Sequence, residues 1–330
     1  MQIDLRTVSI KPLRNTFDHL VRRFGDKPAS RYQEGSYDIQ ADTNLQYRPS
    51  WDPEHELHDA GRTAIVMSDW YALKDPRQFY YGAYTLARAR QQEAAEASFT
   101  FVESRALLDQ MDAATRSRAL AVLMPLRHAA WGANMNNTSM CADGYGTLIT
   151  QPCMYHAMDN LGVAQYLTRL GLLLGDAATL EAGREAWLND AAWQPLRRLV
   201  EKTLVTRDWF ELFVAQNFVL DGLLYPLIYG QFVDKHLNAH GGAGVSMLTA
   251  FMSEWHDETR RWIDAVLKTA AAESAANQAL LSDWTRQWRG RAAEALSPIA
   301  QQALGASAAE VLATVEQSFN DRAAKLGLTL

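Results

Sequence analysis

After Pro76 the chain meets no further proline until Pro125, and within that interval Phe79–Leu108 contains a single glycine, Gly82. The stretch is rich in Ala, Gln, Glu and Arg, which lose little freedom in a helix. About 30 helical residues extend roughly 45 Å, longer than an ordinary globular helix and suited to a large bundle. Further helical patterns cover Ala113–Asn134, Gln151–Leu174, Ala177–Leu188, Gln194–Val205, Asp208–Lys235, Ser246–Ala276, Leu280–Ala303 and Ala308 to about Lys325. Two-residue alternation is weak throughout, so an all-α architecture is expected. A loose two-fold echo pairs 79–134 with 208–276, each a long helix followed by one carrying a charged cluster.

Residues 1–57 read differently. They are polar and aromatic, and Pro12, Pro28, Pro49 and Pro53 interrupt them. Residues before proline avoid the helical region, so an extended arm with short turns is expected, followed by a helical domain over 58–330. Tyr32, Tyr37, Tyr47 and Trp51 each carry a large apolar face that must bury against something. Their own domain and a partner subunit both satisfy that need; as a partner-wrapping arm, these four would be its interface residues.

Composition removes several function classes. Hydrophobic residues make up 48% of the 330, enough for a sizeable core without disulfides, and Cys141 and Cys153 are expected to be reduced. The net charge is −6, with Lys and Arg scattered rather than gathered in a basic stripe, which argues against nucleic acid. The most apolar segment, Phe210–Val233, carries Glu211, Gln216, Asn217, Asp221 and Pro226, so it reads as a core helix rather than a membrane span. The opening MQIDLRTVSIKPLRNTF has no continuous apolar stretch and is not an ordinary signal peptide. The expected location is the cytoplasm.

Long helical bundles can hold two irons when each half supplies a Glu from one helix and a Glu-x-x-His pair from the next. The three-residue spacing places carboxylate and imidazole one turn apart on one face. No histidine here has that glutamate. His19 follows Thr16, His58 follows His55, His128 follows Pro125 and His156 follows Cys153 at the required spacing. His236 follows Val233, His240 follows Leu237, His256 follows Ser253, and His55 follows Asp52 within the arm. Two near misses stand out: Met124-Pro125-Leu126-Arg127-His128 and Asp257-Glu258-Thr259-Arg260-Arg261-Trp262. Each reads as Asp-Glu-x-Arg-His with one ligand replaced, proline for a glutamate and arginine for a histidine. A guanidinium has no lone pair for a metal. On this reading Pro125, His128, Glu258 and Arg261 are degenerate ligand positions, and Arg261 is expected to meet a carboxylate among Glu258, Glu93, Glu96 and Asp221. The ordinary alternatives are a hydrogen-bonded core His128 and a simple Glu258–Arg261 pair.

Other signals are weaker. His55 and His58 beside Glu54, Glu56 and Asp59 fit a solvated turn better than a metal site. His240-Gly241-Gly242 has an oxyanion-loop look, but no Gly-x-Ser-x-Gly accompanies it.

Several segments carry a family likeness. They are Arg22-Arg23-Phe24-Gly25-Asp26-Lys27-Pro28-Ala29, Ser30-Arg31-Tyr32-Gln33-Glu34 and Trp51-Asp52-Pro53-Glu54-His55-Glu56-Leu57. Leu73-Lys74-Asp75-Pro76-Arg77-Gln78-Phe79-Tyr80-Tyr81, Gly132-Ala133-Asn134-Met135-Asn136-Asn137 and Arg207-Asp208-Trp209-Phe210-Glu211-Leu212 complete the set. Together they resemble the β subunit of the bacterial multicomponent phenol hydroxylases, relatives of the toluene/o-xylene monooxygenases. The resemblance implies a ferritin-like bundle with additional C-terminal helices and no catalytic or cofactor-binding residue of its own. It further implies a catalytic α subunit holding a di-iron centre, a small γ subunit and a second αβγ protomer. An NADH reductase and a regulatory protein would act on that complex, which hydroxylates phenols to catechols with O2. A toluene/o-xylene β subunit, a di-iron oxidase with unusual ligands and an independent helical interaction protein are the other readings.

Overall fold

The computed structural model describes residues 18–40, 48–50 and 52–330. Tyr47 and Trp51 therefore lie outside the described residues. Helices dominate, and no strand occurs among the described residues.

The arm contains two short helices, α1 (Asp18–Phe24) and α2 (Arg31–Glu34), where an extended run was expected. Ser30 explains α2: its hydroxyl accepts from the Gln33 N–H while the Gln33 side chain accepts from the Ser30 N–H. Of the two destinations open to the arm's aromatics, Tyr32 and Tyr37 take packing on their own chain in this structure. Both are buried on their own chain in a small cluster with Leu20 and Leu148. The Tyr32 hydroxyl accepts from the Asp75 N–H at 3.1 Å, and Tyr37 lies between Phe24 and Tyr71. Their apolar faces are already satisfied.

The long helix α3 spans Tyr81–Ser104, shorter than the pattern suggested. Tyr80 is extended, and a left-handed Ala106 (φ 50°) ends the run beyond Ser104. The expected helix 113–134 is two, α4 (Ala113–Leu123) and α5 (Leu126–Asp143). Pro125 has no N–H to continue the ladder, and His128 N–H turns back to the Pro125 carbonyl at 3.0 Å. Next come α6 (Thr147–Leu174), α7 (Ala177–Asn189) and α8 (Gln194–Thr203). The helix α9 covers Trp209–Leu237, and 94% of its most apolar window is buried within the fold. It is capped by Asp208, which accepts from the N–H groups of Phe210 and Glu211. The chain finishes with α10 (Ala243–Glu273), α11 (Ala275–Leu304) and α12 (Ala308–Lys325).

Two stretches of α9, Val214–Leu220 and Pro226–Leu237, are wound as π-helix. A proline inside an α-helix crowds the carbonyl four residues back; a wider i→i+5 turn relieves that clash. Hairpin α5–α6 packs against α9, which pairs with α10; α3 lies along α10, and α11 and α12 cover the far side of α9. The side facing α9–α10 is thus built by α3 together with α5–α6, so the 79–134 segment of the sequence echo supplies only part of it. Trp193, Trp209, Trp262, Phe210, Phe213 and Phe218 are fully buried in this core.

Candidate functional site

The centre of the bundle is polar. On α9, Gln216 Nε2 donates to Asp221 Oδ1 at 2.8 Å. Five residues apart on an α-helix lie about 140° apart and cannot meet. The π-wound turn brings them together. Asp221 Oδ2 lies 3.1 Å from His156 Nε2 on α6, and Asn160 Nδ2 is 3.3 Å from the same nitrogen. The chain of bonds continues outward: Asn136 Nδ2 donates to Gln216 Oε1 (2.8 Å) and to Thr203 Oγ1 (2.7 Å). Beside it, Asn137 and Asn217 exchange two amide bonds of 2.9 Å each. All of these side chains are buried. An amide removed from water must find partners, so the ladder fixes the register of α5 against α9.

The second neighbour of this centre is His256 on α10. Its ring stacks on Tyr225, with centroids 4.8 Å apart and planes at 10°. Burial, reinforced by the positive charges of Arg322 and Arg260 and by His156, pushes the imidazole down to about 3, so it is neutral near pH 7.

Nearer the surface an ion network joins α3, α6 and α10. Arg88 donates to both oxygens of Asp159 at 2.7 Å, and to Glu258 Oε1 at 2.8 Å. Its guanidinium lies over Trp255, 4.8 Å from the ring centroid. Tyr84 O–H donates to Asp159 at 2.8 Å; burial and the Asp159 charge raise its phenol well above the usual range. Arg77 forks onto Asp75 and comes within 3.8 Å of Glu258. Arg88 is raised still further above its ordinary value, because the two carboxylates outweigh its desolvation.

The four degenerate ligand positions do not converge. Pro125 forms the α4–α5 junction. His128 stacks on Trp187 of α7 (5.7 Å), where burial and the neighbouring Arg127 and Arg184 lower its pKa. Glu258 belongs to the Arg88 network. Arg261 is exposed and makes no ion pair among the described residues, so its expected carboxylate contact is corrected. The candidates are elsewhere: Glu96 pairs with Arg169, Asp221 with His156, and Glu93 is exposed. The cause is helical phase: on α10, Glu258 and Trp262 face inward and Arg261 does not.

A di-iron centre would need several carboxylates and imidazoles with open positions between them. The bundle centre offers one carboxylate, Asp221, already bonded to His156, and a second imidazole, His256, stacked on Tyr225; neutral amides occupy the space around Asp221 and His156. Among the described residues no three His, Cys, Asp or Glu side chains gather where a metal could be held. The cavity beside Asp221 and Asn160 measures about 20 Å³, room for one water. These residues do not fit the di-iron group. Sequence reasoning missed Arg77, Arg88, His156 and Asp159 as network members. The signal for Gln216, Asn217 and Asp221 was present, as polar residues on an otherwise apolar helix.

The family profile described as Methane/Phenol/Alkene Hydroxylase matches residues 51–274. The chain is 52% identical over 330 residues to the phenol 2-monooxygenase oxygenase component DmpL of Pseudomonas sp. (strain CF600), covering 99% of this chain and 98% of that one. It is 29% identical over 306 residues to the hydroxylase component subunit beta of the toluene-4-monooxygenase system of Ectopseudomonas mendocina, covering 87% and 90%. A crystal structure of xenon-pressurized phenol hydroxylase from Pseudomonas sp. OX1 superposes with a TM-score of 0.92 at 46% identity, covering 99% of both chains. The chain belongs to the methane/phenol/alkene hydroxylase family.

Proposed function

We propose that this chain is the non-catalytic β subunit of the hydroxylase component of a phenol monooxygenase. In this reading the di-iron centre belongs to a catalytic α subunit, joined by a small γ subunit in a dimer of αβγ units in the cytoplasm. A regulatory protein and an NADH reductase act on that assembly. The complex inserts one oxygen atom of O2 into phenol to give a catechol and releases the other as water, with two electrons from NADH. This chain contributes structure. Residues 58–330 are its bundle domain and residues 1–57 its arm, whose described part packs through Leu20, Tyr32 and Tyr37 against Leu148 of α6.

One observation carries the reading: the place where four bundle helices could present metal ligands is closed by the Asp221–His156–Gln216–Asn136 chain. Likeness supports the substrate class, because identity is 52% and 44% to two phenol 2-monooxygenase oxygenase components but 29% to the toluene-4-monooxygenase subunit. Co-expression of the hydroxylase subunits with and without this chain tests the proposal. Catechol formation should require it, and activity of the remaining subunits at the full rate without it would refute a structural role.

A further inference from the structure

From Trp131 to Thr168 the α5–α6 hairpin carries only two Asp, Glu, Lys or Arg residues, Asp143 at the end of α5 and Asp159, buried under Arg88. Charged residues make up 21% of the whole chain, so about eight would be expected in a stretch of this length. The outward face is nonetheless exposed and apolar. Trp131 is 51% and Met135 42% exposed on α5, one turn apart; Met158 is 36% and Leu161 38% exposed on α6. Asn134 Nδ2 donates to the Ala157 carbonyl at 2.8 Å, which sets Met135 level with Met158 and, one turn along the antiparallel pair, Trp131 level with Leu161. Met158 also lines a groove of about 380 Å³ between α3 and α6, whose other walls include Arg88, Glu96, Arg169 and Trp255.

We infer that this face is the docking surface for the catalytic subunit, which lays a pair of its own helices across α5 and α6. The inference rests on the reading of the chain as one subunit of a hetero-oligomer. Size supports it. Eighteen residues of α5 give about 27 Å of length, and two helices about 20 Å of width, so the projected face is roughly 540 Å². Surface ridges and the adjoining groove carry it to the roughly 800 Å² per partner of a stable complex. Chemistry narrows the occupant. Depletion of charge around exposed Trp and Met is the composition of an interface core. A membrane surface would instead want free Lys and Arg beside the apolar residues; Trp131–Thr168 has none, and Arg88 and Arg169 in the adjoining groove are each paired with carboxylates.

The test uses the complete hydroxylase, co-expressed with a tag on this chain. Trp131→Glu and Leu161→Glu are compared with Val66→Glu, a residue 70% exposed near the start of α11. Sedimentation of diluted complex gives the affinity, and circular dichroism and thermal melting check the fold. Each face variant should weaken binding of the catalytic subunit by at least about 30-fold, as loss of a central Trp does, while Val66→Glu binds as wild type. If a glutamate variant unfolds, Trp131→Ala replaces it, with about 10-fold weakening expected. Wild-type affinity in both face variants would overturn the inference. So would self-association of the isolated chain that Trp131→Glu abolishes while hydroxylase assembly persists, because the occupant would then be a second copy. Failure of the wild-type chain to join the hydroxylase at all would sink the subunit reading itself.

Discussion

Replacing Arg88 by methionine removes the one cation that, among the described residues, lies within 3 Å of both Asp159 and Glu258. Asp159 loses two bonds of 2.7 Å and Glu258 one of 2.8 Å. The side chains of Arg88, Asp159 and Glu258 are 11%, 5% and 19% exposed, so the pairs are close to fully desolvated. Breaking a buried pair from one side costs about 3–5 kcal/mol. Two residual contacts soften the loss: Tyr84 still donates to Asp159, and Arg77 stands 3.8 Å from Glu258. The expected destabilisation is therefore about 3 kcal/mol, the low end of that range. At roughly 2 °C per kcal/mol for a chain this large, the melting midpoint should fall by about 6 °C. Denaturation followed by tryptophan fluorescence measures it, with Arg261→Met as the control. Arg261 is exposed and unpaired among the described residues, so its replacement should stay within about 0.5 kcal/mol of wild type. Adding Asp159→Asn and Glu258→Gln to Arg88→Met should recover part of the loss, because no buried charge is then left alone. An Arg88→Met chain that melts with the wild type would refute the network as a stabilising element.

Three further outcomes follow from the same packing. His256 is neutral when folded and has an ordinary pKa when unfolded, so the unfolded chain binds the extra proton between about pH 6.5 and 3; stability contributed by this residue is intact above that window and lost as pH falls through it. His256→Phe should therefore flatten the acid limb, sparing about 2–3 kcal/mol between pH 7 and 4.5 in paired denaturation curves, and an unchanged pH difference would contradict a buried neutral imidazole. Asn137→Leu should cost about 1–3 kcal/mol by leaving Asn217 unpaired, while the double change with Asn217→Leu should be much closer to wild type; simple additivity in a double-mutant cycle would argue against the amide pair. Gly183→Ala would place a Cβ 2.6 Å from Met124 Cβ and 3.2 Å from its carbonyl carbon, costing about 1–3 kcal/mol, whereas Gly290→Ala meets nothing within 4 Å and should stabilise α11 by about 0.5–1 kcal/mol; equal melting shifts for the two would show that close packing at the α4–α7 crossing is not limiting.

The presence and rough position of the helices were legible in the sequence because periodicity and proline placement are local signals; their ends were not, as α3 and the α4–α5 break show. Pro125 was visible too; in the fold it stands at the junction of two helices, at a crossing with α7. The two near misses share one limit. Spacing along one helix says which residues share a face, not which face turns inward, and a single register decision separates Glu258 from Arg261. Arg88 could not be found this way, since its partners lie 71 and 170 residues away. Gln216 and Asp221 were harder still. Five residues apart, they join only because α9 is π-wound there, and π-winding has no sequence period to read. The arm's tyrosines allowed two destinations, and Tyr32 and Tyr37 are buried on the Leu148 face of α6.

A bundle that admits neither substrate nor oxygen can be packed and cross-bonded throughout. That rigidity suits a subunit whose task is to hold another in place. The most direct test is metal counting on the separated subunits of the active hydroxylase, with iron assigned chain by chain. Iron should remain with the partner, and this chain should retain far less than one atom per copy. Two irons held stoichiometrically by this polypeptide would contradict the account at its root.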